Sequence, residues 1–437
     1  MKHKFFAVVL SAFSFSAFAQ EKIQLDQVIS LALEKNFDIQ LAKNNSSSAS
    51  TNNDYAWAAF LPQLNGTASS ISNSTKQRLE FKDATKNIKG TNEANTLNGS
   101  VQLNWTLFDG TKMFATRQRI AIMDEQGELL IKDQMVNSIA SVITTYYNIV
   151  KQKQQLMAIQ EQMAVSDVRV KLAEKKLQVG TGAKPELLQA RVDYNSQRTQ
   201  VIQQETAIVQ LKAQLNALLG SQLPASYDVV DSIAINLDLK EDEVISNSES
   251  TNYSLKAARR NFNIATLSLH ERRAELFPIL SFTGAYTYTR ADNTKLVNPY
   301  GTIFSLSNGY NYGFSLAIPI LNGLTTRRQI ELAKITYSRQ QVLYDQMKTN
   351  VDVGLRNAFV NYENAKKILL IEEETILLAK ENVFIALESF KKGTTTFIEL
   401  RTAQQSLADA YNQLITARYN AKLAETELLR LNGGLLK

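Results

Sequence analysis

Few residues in this chain could carry covalent or metal chemistry, and none is grouped as that chemistry requires. The sequence has two histidines, His3 and His270, and no cysteine. His3 belongs to an N-terminal leader, and His270 stands among Leu269, Glu271, Arg272 and Arg273 on a predicted helix, where a solvated face accounts for it. The acidic run Glu372-Glu373-Glu374 reads as charged helix surface, not as a metal site. No nucleophile motif, glycine-rich phosphate loop or metal-spaced ligand set is present. The sequence therefore predicts no catalytic residue, no cofactor and no metal. Two other acidic residues hold corresponding places: Glu186 in Gly180-Thr181-Gly182-Ala183-Lys184-Pro185-Glu186, and Glu399 in Gly393-Thr394-Thr395-Thr396-Phe397-Ile398-Glu399. Both segments read as turns between long helices, with glycine ending one helix and the Pro or Thr region starting the next. A glutamate there can complement the following helix N-terminus.

The elements that place these turns begin behind an expected signal peptide. Residues 1–4 are basic, Phe5 to Phe18 is apolar apart from serines, and Ala17-Phe18-Ala19 offers a cleavage site before Gln20. The formal charge of +6 over 437 residues is too dilute for nucleic-acid binding, which needs a concentrated basic stripe. Without cysteine the exported chain must be held by packing or oligomerisation, and it has no residue for N-terminal lipid attachment. No other segment is a run of 18 or more apolar residues, so a membrane can be crossed only by β-strands. Glycine (17) and proline (6) are scarce, which favours long uninterrupted elements.

The chain is a tandem repeat. Asn36-Phe37-Asp38-Ile39 and Leu61-Pro62-Gln63-Leu64 recur 216 residues later as Asn252-Tyr253-Ser254-Leu255 and Phe277-Pro278-Ile279-Leu280. From the middle of each copy the offset is 213: Phe108-Asp109-Gly110 matches Leu321-Asn322-Gly323, Gly180-Thr181 matches Gly393-Thr394, and Leu215, Leu218 and Gly220 match Leu428, Leu431 and Gly433. Residues 20–220 and 241–437 are the expected repeats, with 221–240 as linker.

Each repeat reads as helix, two strands, long helix, tip, helix. Leu400, Ala403, Leu407, Ala410, Leu414, Ala417, Ala421, Ala424, Leu428 and Leu431 form an unbroken heptad seam. The helix after Gly110 extends to about Val179, a rod on the order of 100 Å. The strands change to period two: Val101, Leu103, Trp105 and Leu107 alternate with polar residues, as do Phe282, Tyr286 and Tyr288, and Tyr310, Tyr312, Phe314 and Leu316. One face is apolar and aromatic and the other small and polar, which suits lipid outside and water inside. The segment after Leu64 alternates poorly and is taken as a strand by repeat symmetry. Polar inserts are expected from Asn73 to Asn95 and from Ala291 to Ser305.

Four strands cannot enclose a lumen in lipid, whereas three copies would supply twelve. The doubled Leu-Pro or Phe-Pro segments, the Phe-Asp-Gly and Leu-Asn-Gly corners, and the Gly-Thr tips followed by Glu-Leu-x-x-Ala make the chain resemble the TolC-like outer-membrane efflux proteins. The resemblance implies a mixed α and β membrane protein of the cell outer membrane. Long coiled-coil helical hairpins would form a periplasmic tunnel, joined to a transmembrane β-barrel built from four strands per protomer in a homotrimer. It also implies a passive exit duct for efflux or type I secretion, working with a periplasmic adaptor protein and an inner-membrane transporter. By position the tips Gly180, Thr181, Glu186, Phe390, Gly393, Thr394, Thr395 and Glu399 would form the periplasmic entrance. In a trimer six carboxylates from Glu186 and Glu399 could ring it and favour cations. The tyrosine and arginine that latch the entrance of the best-known member fall at Phe390 and Thr395, and an acidic position falls at Thr402, so that latch does not carry over. The competing reading is an exported coiled-coil or adhesin-like scaffold without channel activity, which has no use for two pairs of amphipathic strands.

Overall fold

The computed structural model describes residues 22–220, 223, 227–245 and 248–436; the expected signal peptide lies outside them. In chain order the elements are β1 (Lys22–Ile23), α1 (Leu25–Lys35), α2 (Phe37–Asp54), β2 (Gln63–Leu79), β3 (Ile88–Phe108), α3 (Lys112–Gln178), α4 (Lys184–Leu219), β4 (Asp228–Val229), α5 (Glu241–Ile245), α6 (Ser248–Thr251), α7 (Tyr253–Ala274), β5 (Ile279–Lys295), β6 (Phe304–Ala317), α8 (Thr325–Lys392) and α9 (Phe397–Leu431). They form two compact units. One comprises residues 44–130 and 254–347, and the other comprises the remaining described residues.

The unit of residues 44–130 and 254–347 is organised by one antiparallel sheet of order β2-β3-β5-β6. Its strands are 17, 21, 17 and 14 residues long, well beyond the nine or ten read from alternation. The insert expected at 73–95 is therefore mostly strand and the one expected at 291–305 is strand at both ends, and the connecting loops shrink to 80–87 and 296–303. The cause is compositional: this part of the ribbon is polar on both faces, so the pairing leaves no period-two hydrophobic signal. Continuous cross-strand hydrogen bonding from Gln63–Asn104 to Leu79–Ile88 makes β2 a strand despite its Ser, Thr and Asn content.

Where β3 gives way to α3, Gly110 and Thr111 have φ of 72° and 74°, and at the second corner Gly323 and Leu324 have 61° and 62°. Among the described residues every positive φ falls into one of four pairs 213 residues apart: 110 with 323, 111 with 324, 180 with 393, and 220 with 433. Corresponding left-handed steps thus start both helices, after a connection of residues 109–111 at the first corner and 318–324 at the second. At Gly110 a Cβ would also collide with the Ala274 carbonyl and would lie 2.6 Å from the Phe277 Cβ.

The other unit is a set of helical seams. On α8, Leu355, Tyr362, Leu369, Ile376, Val383 and Phe390 are buried at seven-residue spacing. On α9, Leu400, Ala403, Ala410, Leu414, Ala417, Ala421 and Leu428 are buried in the 3,4 alternation expected from sequence. Alanine at the alternate positions lets the α8 backbone approach, so Leu414, Ala417 and Ala421 pack directly on Leu369 and Ile376. A second cluster joins Val28 and Ala32 of α1, Ile139, Val142, Tyr146 and Ile149 of α3, and Leu215 and Leu219 of α4.

The segment read as a linker is laid down as an extended ribbon. Ile233, Ile235, Leu237 and Leu239 turn inward onto the three clusters while the residues between them face out. The ribbon is pinned by buried tyrosines. The Tyr146 hydroxyl donates to the Ile23 carbonyl (2.8 Å) and accepts from Val230 N–H (3.2 Å), and the Tyr362 hydroxyl donates to the Asn236 carbonyl (2.7 Å). Lys153 bonds Asp228 and Asp231 at 2.8 and 2.6 Å. Burial pulls its amine down, but these two carboxylates outweigh that and hold it above its ordinary value.

The corners and the tips differ in what surrounds a left-handed glycine. Gly110→Ala meets both unfavourable φ and the Ala274 carbonyl, and should destabilise by about 3 kcal/mol. Gly180→Ala, in open space, should cost only about 1 kcal/mol. Heat-modifiability of the purified protein on gels, followed against temperature, should rank them in that order.

Candidate functional site: the helix tips and the two-faced sheet

The α3–α4 and α8–α9 tips are built alike. After α3, Gly180 (φ 75°) lets the Thr181 N–H reach the Lys176 carbonyl at 2.9 Å. After α8, Gly393 (φ 74°) lets the Thr394 N–H reach the Ser389 carbonyl at 3.0 Å. In each case the threonine hydroxyl donates to that same carbonyl, at 3.3 and 3.1 Å. A Gly-Thr pair is thus what a six-to-one helix end needs: a left-handed residue, then a short side-chain donor for an orphan carbonyl.

The helix starts differ, and the two glutamates differ with them. Thr396 caps α9 in a reciprocal box with Glu399, whose carboxylate accepts from the Thr395 hydroxyl and from the Thr396 N–H (3.1 Å). The hydroxyl bond first, and the backbone bond second, hold the Glu399 carboxyl below its ordinary 4.5. This cap is therefore complete above that pH and is lost as the pH falls through the lowered value. The α4 start has Ala183 at the cap position, no side-chain cap, and Pro185 in its first turn. Glu186 makes no side-chain hydrogen bond or ion pair among the described residues. Both glutamates lie in the first turn of their helix, and Glu399 alone closes a hydrogen-bonded cap there.

Phe390 is 4% exposed, with its ring 6.5 Å from that of Phe397 and the Lys176 amine 3.9 Å over its face. Below it lies a network that the sequence reading missed. Arg169 of α3, itself 4% exposed, donates to Asp193 of α4 at 2.5 Å and to Gln404 of α9 at 2.9 Å. Its guanidinium lies 5.1 Å over the Phe397 ring, and Arg401 of α9 shares Asp193 at 3.2 Å. One carboxylate thus ties α4 to both α3 and α9. Its signal was a charged residue on a seam line: Arg169 follows buried Ser166 by three residues and precedes buried Ala173 by four. The same helices line a polar cavity of about 500 Å³, where Arg169 Nε, Gln197 Oε1 and Gln404 Nε2 have no protein partner.

The sheet sorts its side chains by face. Register places Leu103 beside Gly284 and Tyr312, Val101 beside Tyr286 and Tyr310, and Trp105 beside Phe282 and Phe314. With Leu97, Leu107, Tyr288 and Leu316 they make one apolar, aromatic face, on which Phe282 and Phe314 pack at 5.2 Å and Tyr310 and Tyr312 stack at 6.4 Å. Trp105 Nε1 donates to the Phe60 carbonyl at 2.9 Å. The opposite face over the same span carries Asn65, Thr67, Asn98, Ser100, Gln102, Asn104, Thr283, Thr287, Ser307 and Asn311, and no charge. The apolar face runs about eleven residues along β3, the length a tilted strand needs to cross a bilayer. The edges β2 and β6 have no partner within the described chain.

An amphipathic sheet with open edges, continued by long helical hairpins, defines an outer-membrane strand-and-helix protein. Comparison with known sequences gives the family: the outer membrane efflux protein model matches residues 28–221 and 244–434, and the chain belongs to that family. It is similar to the outer membrane protein TolC of Escherichia coli strain K12, at 23% identity over 98% of this chain and 88% of that one. It is likewise similar to the cation efflux system protein CusC of Escherichia coli O157:H7, at 24% identity over 94% and 86%. The crystal structure of the CmeC outer membrane channel of Campylobacter jejuni superposes with a TM-score of 0.79 at 19% identity, covering 94% of this chain and 85% of that one. The protein is an outer-membrane efflux channel, with its helices in the periplasm.

Asp193 should be the weak point of the tip network. Asp193→Asn leaves the buried Arg169 guanidinium without a counter-charge, a loss on the order of 3 kcal/mol. Hydrogen exchange read by mass spectrometry should show faster exchange in the first turns of α4 and α9, with the sheet unchanged.

Proposed function

We propose that three copies of the chain join their sheets edge to edge into a twelve-stranded barrel that conducts passively across the outer membrane. The observation that carries this reading is the sheet itself: four strands, an apolar outer face, an uncharged polar inner face, and two unpaired edges that lipid does not tolerate. The helices support it. Val353, Val360, Ile371, Leu378 and Ile385 are all exposed on α8, and steps of 7 and 11 residues keep them on one line of the helix. Such a stripe needs cover, and a neighbouring copy supplies it. The fourfold pairing of left-handed residues at 213-residue spacing supports two structural repeats, 20–220 and 241–437, so the trimer would carry sixfold pseudo-repetition.

In this reading the Gly180 and Gly393 tips, with Thr181, Glu186, Phe390, Thr394, Thr395 and Glu399, form the periplasmic entrance. A periplasmic adaptor docks there and couples the duct to an inner-membrane transporter, which performs the work and selects the cargo. The chain itself catalyses no reaction. The uncharged inner face suits that division of labour, because it favours neither sign of cargo. Glu186, not Glu399, supplies the free carboxylates of the entrance, since Glu399 is engaged in its cap.

The two faces can be tested at neighbouring residues. Val101→Arg puts a charge on the lipid side and should cost about 2–4 kcal/mol, with loss of membrane insertion. Ser100→Arg puts it in the lumen and should insert normally while shifting the current in planar bilayers toward anions. Equal behaviour of the two, or a wild type that stays monomeric and silent, would sink the reading. At the entrance, Glu186→Lys should reduce cation preference more than Glu399→Gln does.

A further inference from the structure

Beyond the apolar band, the outward face of the sheet turns basic. Alternation carries this face from Leu97 and its neighbours Ser70 and Arg290 through Asn95, Ser72 and Asp292 to Glu93, Ser74 and Lys295. It continues to Lys76 beside Thr91, and ends with Arg78 directly opposite Lys89. Five cations, Lys76, Arg78, Lys89, Arg290 and Lys295, thus share a face with two carboxylates, Glu93 and Asp292. Lys295 pairs with Glu93 and Arg290 with Asp292, each at 2.8 Å, and Arg78 reaches Glu80 at 2.6 Å. Lys76 and Lys89 are exposed and make no hydrogen bond or ion pair among the described residues. Arg78 and Lys89 stand opposite one another with only the Glu80 carboxylate on Arg78 beside them, so the pair keeps a net positive charge that an external anion would offset.

We propose that this face binds the phosphorylated saccharide headgroup of an outer-leaflet glycolipid. Arg290 stands level with the end of the apolar band, where acyl chains give way to headgroups. Arg78 and Lys89 stand eight residues further, about 27 Å along the strand, or on the order of 20 Å in height at a tilt near 40°. A glycerophospholipid headgroup layer is only about 5–8 Å deep and meets the lowest of these cations alone. A headgroup with phosphates at several heights on a sugar chain meets the whole ladder. The long lysine and arginine stems can lie along the sheet while their charged ends reach those phosphates. Polar pairing of the strands up to Leu79 and Ile88, well past what a bilayer needs, is what holds the ladder upright.

The proposal rests on the outward assignment of the apolar face, so its test uses mature protein whose conductance is first recorded in planar bilayers. That protein is then mixed with phosphatidylcholine vesicles containing lipopolysaccharide, dephosphorylated lipopolysaccharide or phosphatidylglycerol, and retained lipid is counted by mass spectrometry. Wild type should retain lipopolysaccharide in preference to the other two. Lys76→Gln with Lys89→Gln, which leaves every internal ion pair intact, should retain it roughly tenfold less at low salt. Undiminished retention by the double variant, or equal retention of phosphatidylglycerol or of the dephosphorylated lipid by wild type, overturns the proposal. Either result leaves a normal conductance, and with it the channel reading, standing; a wild type that neither conducts nor retains glycolipid overturns both.

Discussion

A strand in hydrocarbon has no water to complete its hydrogen bonds, and every other feature of this chain can be traced to that shortage. Within the sheet the backbone is satisfied by an unbroken antiparallel ladder from β2 to β6, but the outer edges of β2 and β6 remain open. A single copy cannot cure this by curling, because four strands are too few to enclose even a side-chain-filled interior. Repetition within the chain supplies two of the four strands, and the proposed trimer would supply the rest of a closed barrel. The composition of the strands fits: small residues such as Gly99, Gly284, Gly309 and Gly313 lie among the aromatic ones, which permits curvature where a uniformly bulky sheet would resist it.

The same demand reaches the helices through the corners. If a barrel strand passed into its helix by a flexible loop, the position of the helix would not be set by the strand. Here the connection is short, 109–111 in one half and 318–324 in the other, and each ends in two left-handed residues at corresponding places. Only one of each pair is glycine. Thr111 and Leu324 adopt a conformation that ordinary side chains avoid, so the corner geometry is imposed by the elements on either side and not by local preference. From those corners the helices gain their stability from seams, not from propensity. On α8 one heptad line, from Leu355 to Phe390, is buried against α9 while Val353, Val360, Ile371, Leu378 and Ile385 are exposed.

What the sequence revealed followed from which forces leave periodic traces. The α9 seam was legible residue by residue, because burial on a helix repeats every three or four positions and Leu400 to Leu428 keep that rhythm. The apolar sheet face of Val101, Leu103, Trp105, Tyr310, Tyr312 and Phe314 was legible for the same reason at period two. The upper halves of β2 and β3 were not, since polar residues on both faces leave backbone pairing without a side-chain signature. The ribbon at 233–239 was overlooked although Ile233, Ile235, Leu237 and Leu239 alternate, because Pro224 and scattered aspartates made the region read as linker. Arg169 and Asp193 were invisible for a different reason: their meaning lies in a contact between helices far apart in sequence, and only the off-pattern arginine on the seam hinted at it.

The two tips show how a repeat can diverge in chemistry while keeping its shape. Both need a left-handed glycine and a threonine to finish the incoming helix, and both keep them. The outgoing helix can be started either by a side-chain cap or by proline, and the halves chose differently. Thr396 takes the cap and recruits Glu399 as its partner, which withdraws that carboxylate from any other task. Pro185 presets the first turn of α4 and lacks an N–H that would need capping, which leaves Glu186 free. Next to the tips, the buried aromatic residue at the end of α8 is Phe390. A phenyl ring cannot hydrogen-bond, so the joining of the hairpins falls to packing, to Lys176 over that ring, and to the carboxylate of Asp193 between two guanidinium groups. One acidic residue of α4 is therefore the common partner of α3 and α9, through two separate contacts.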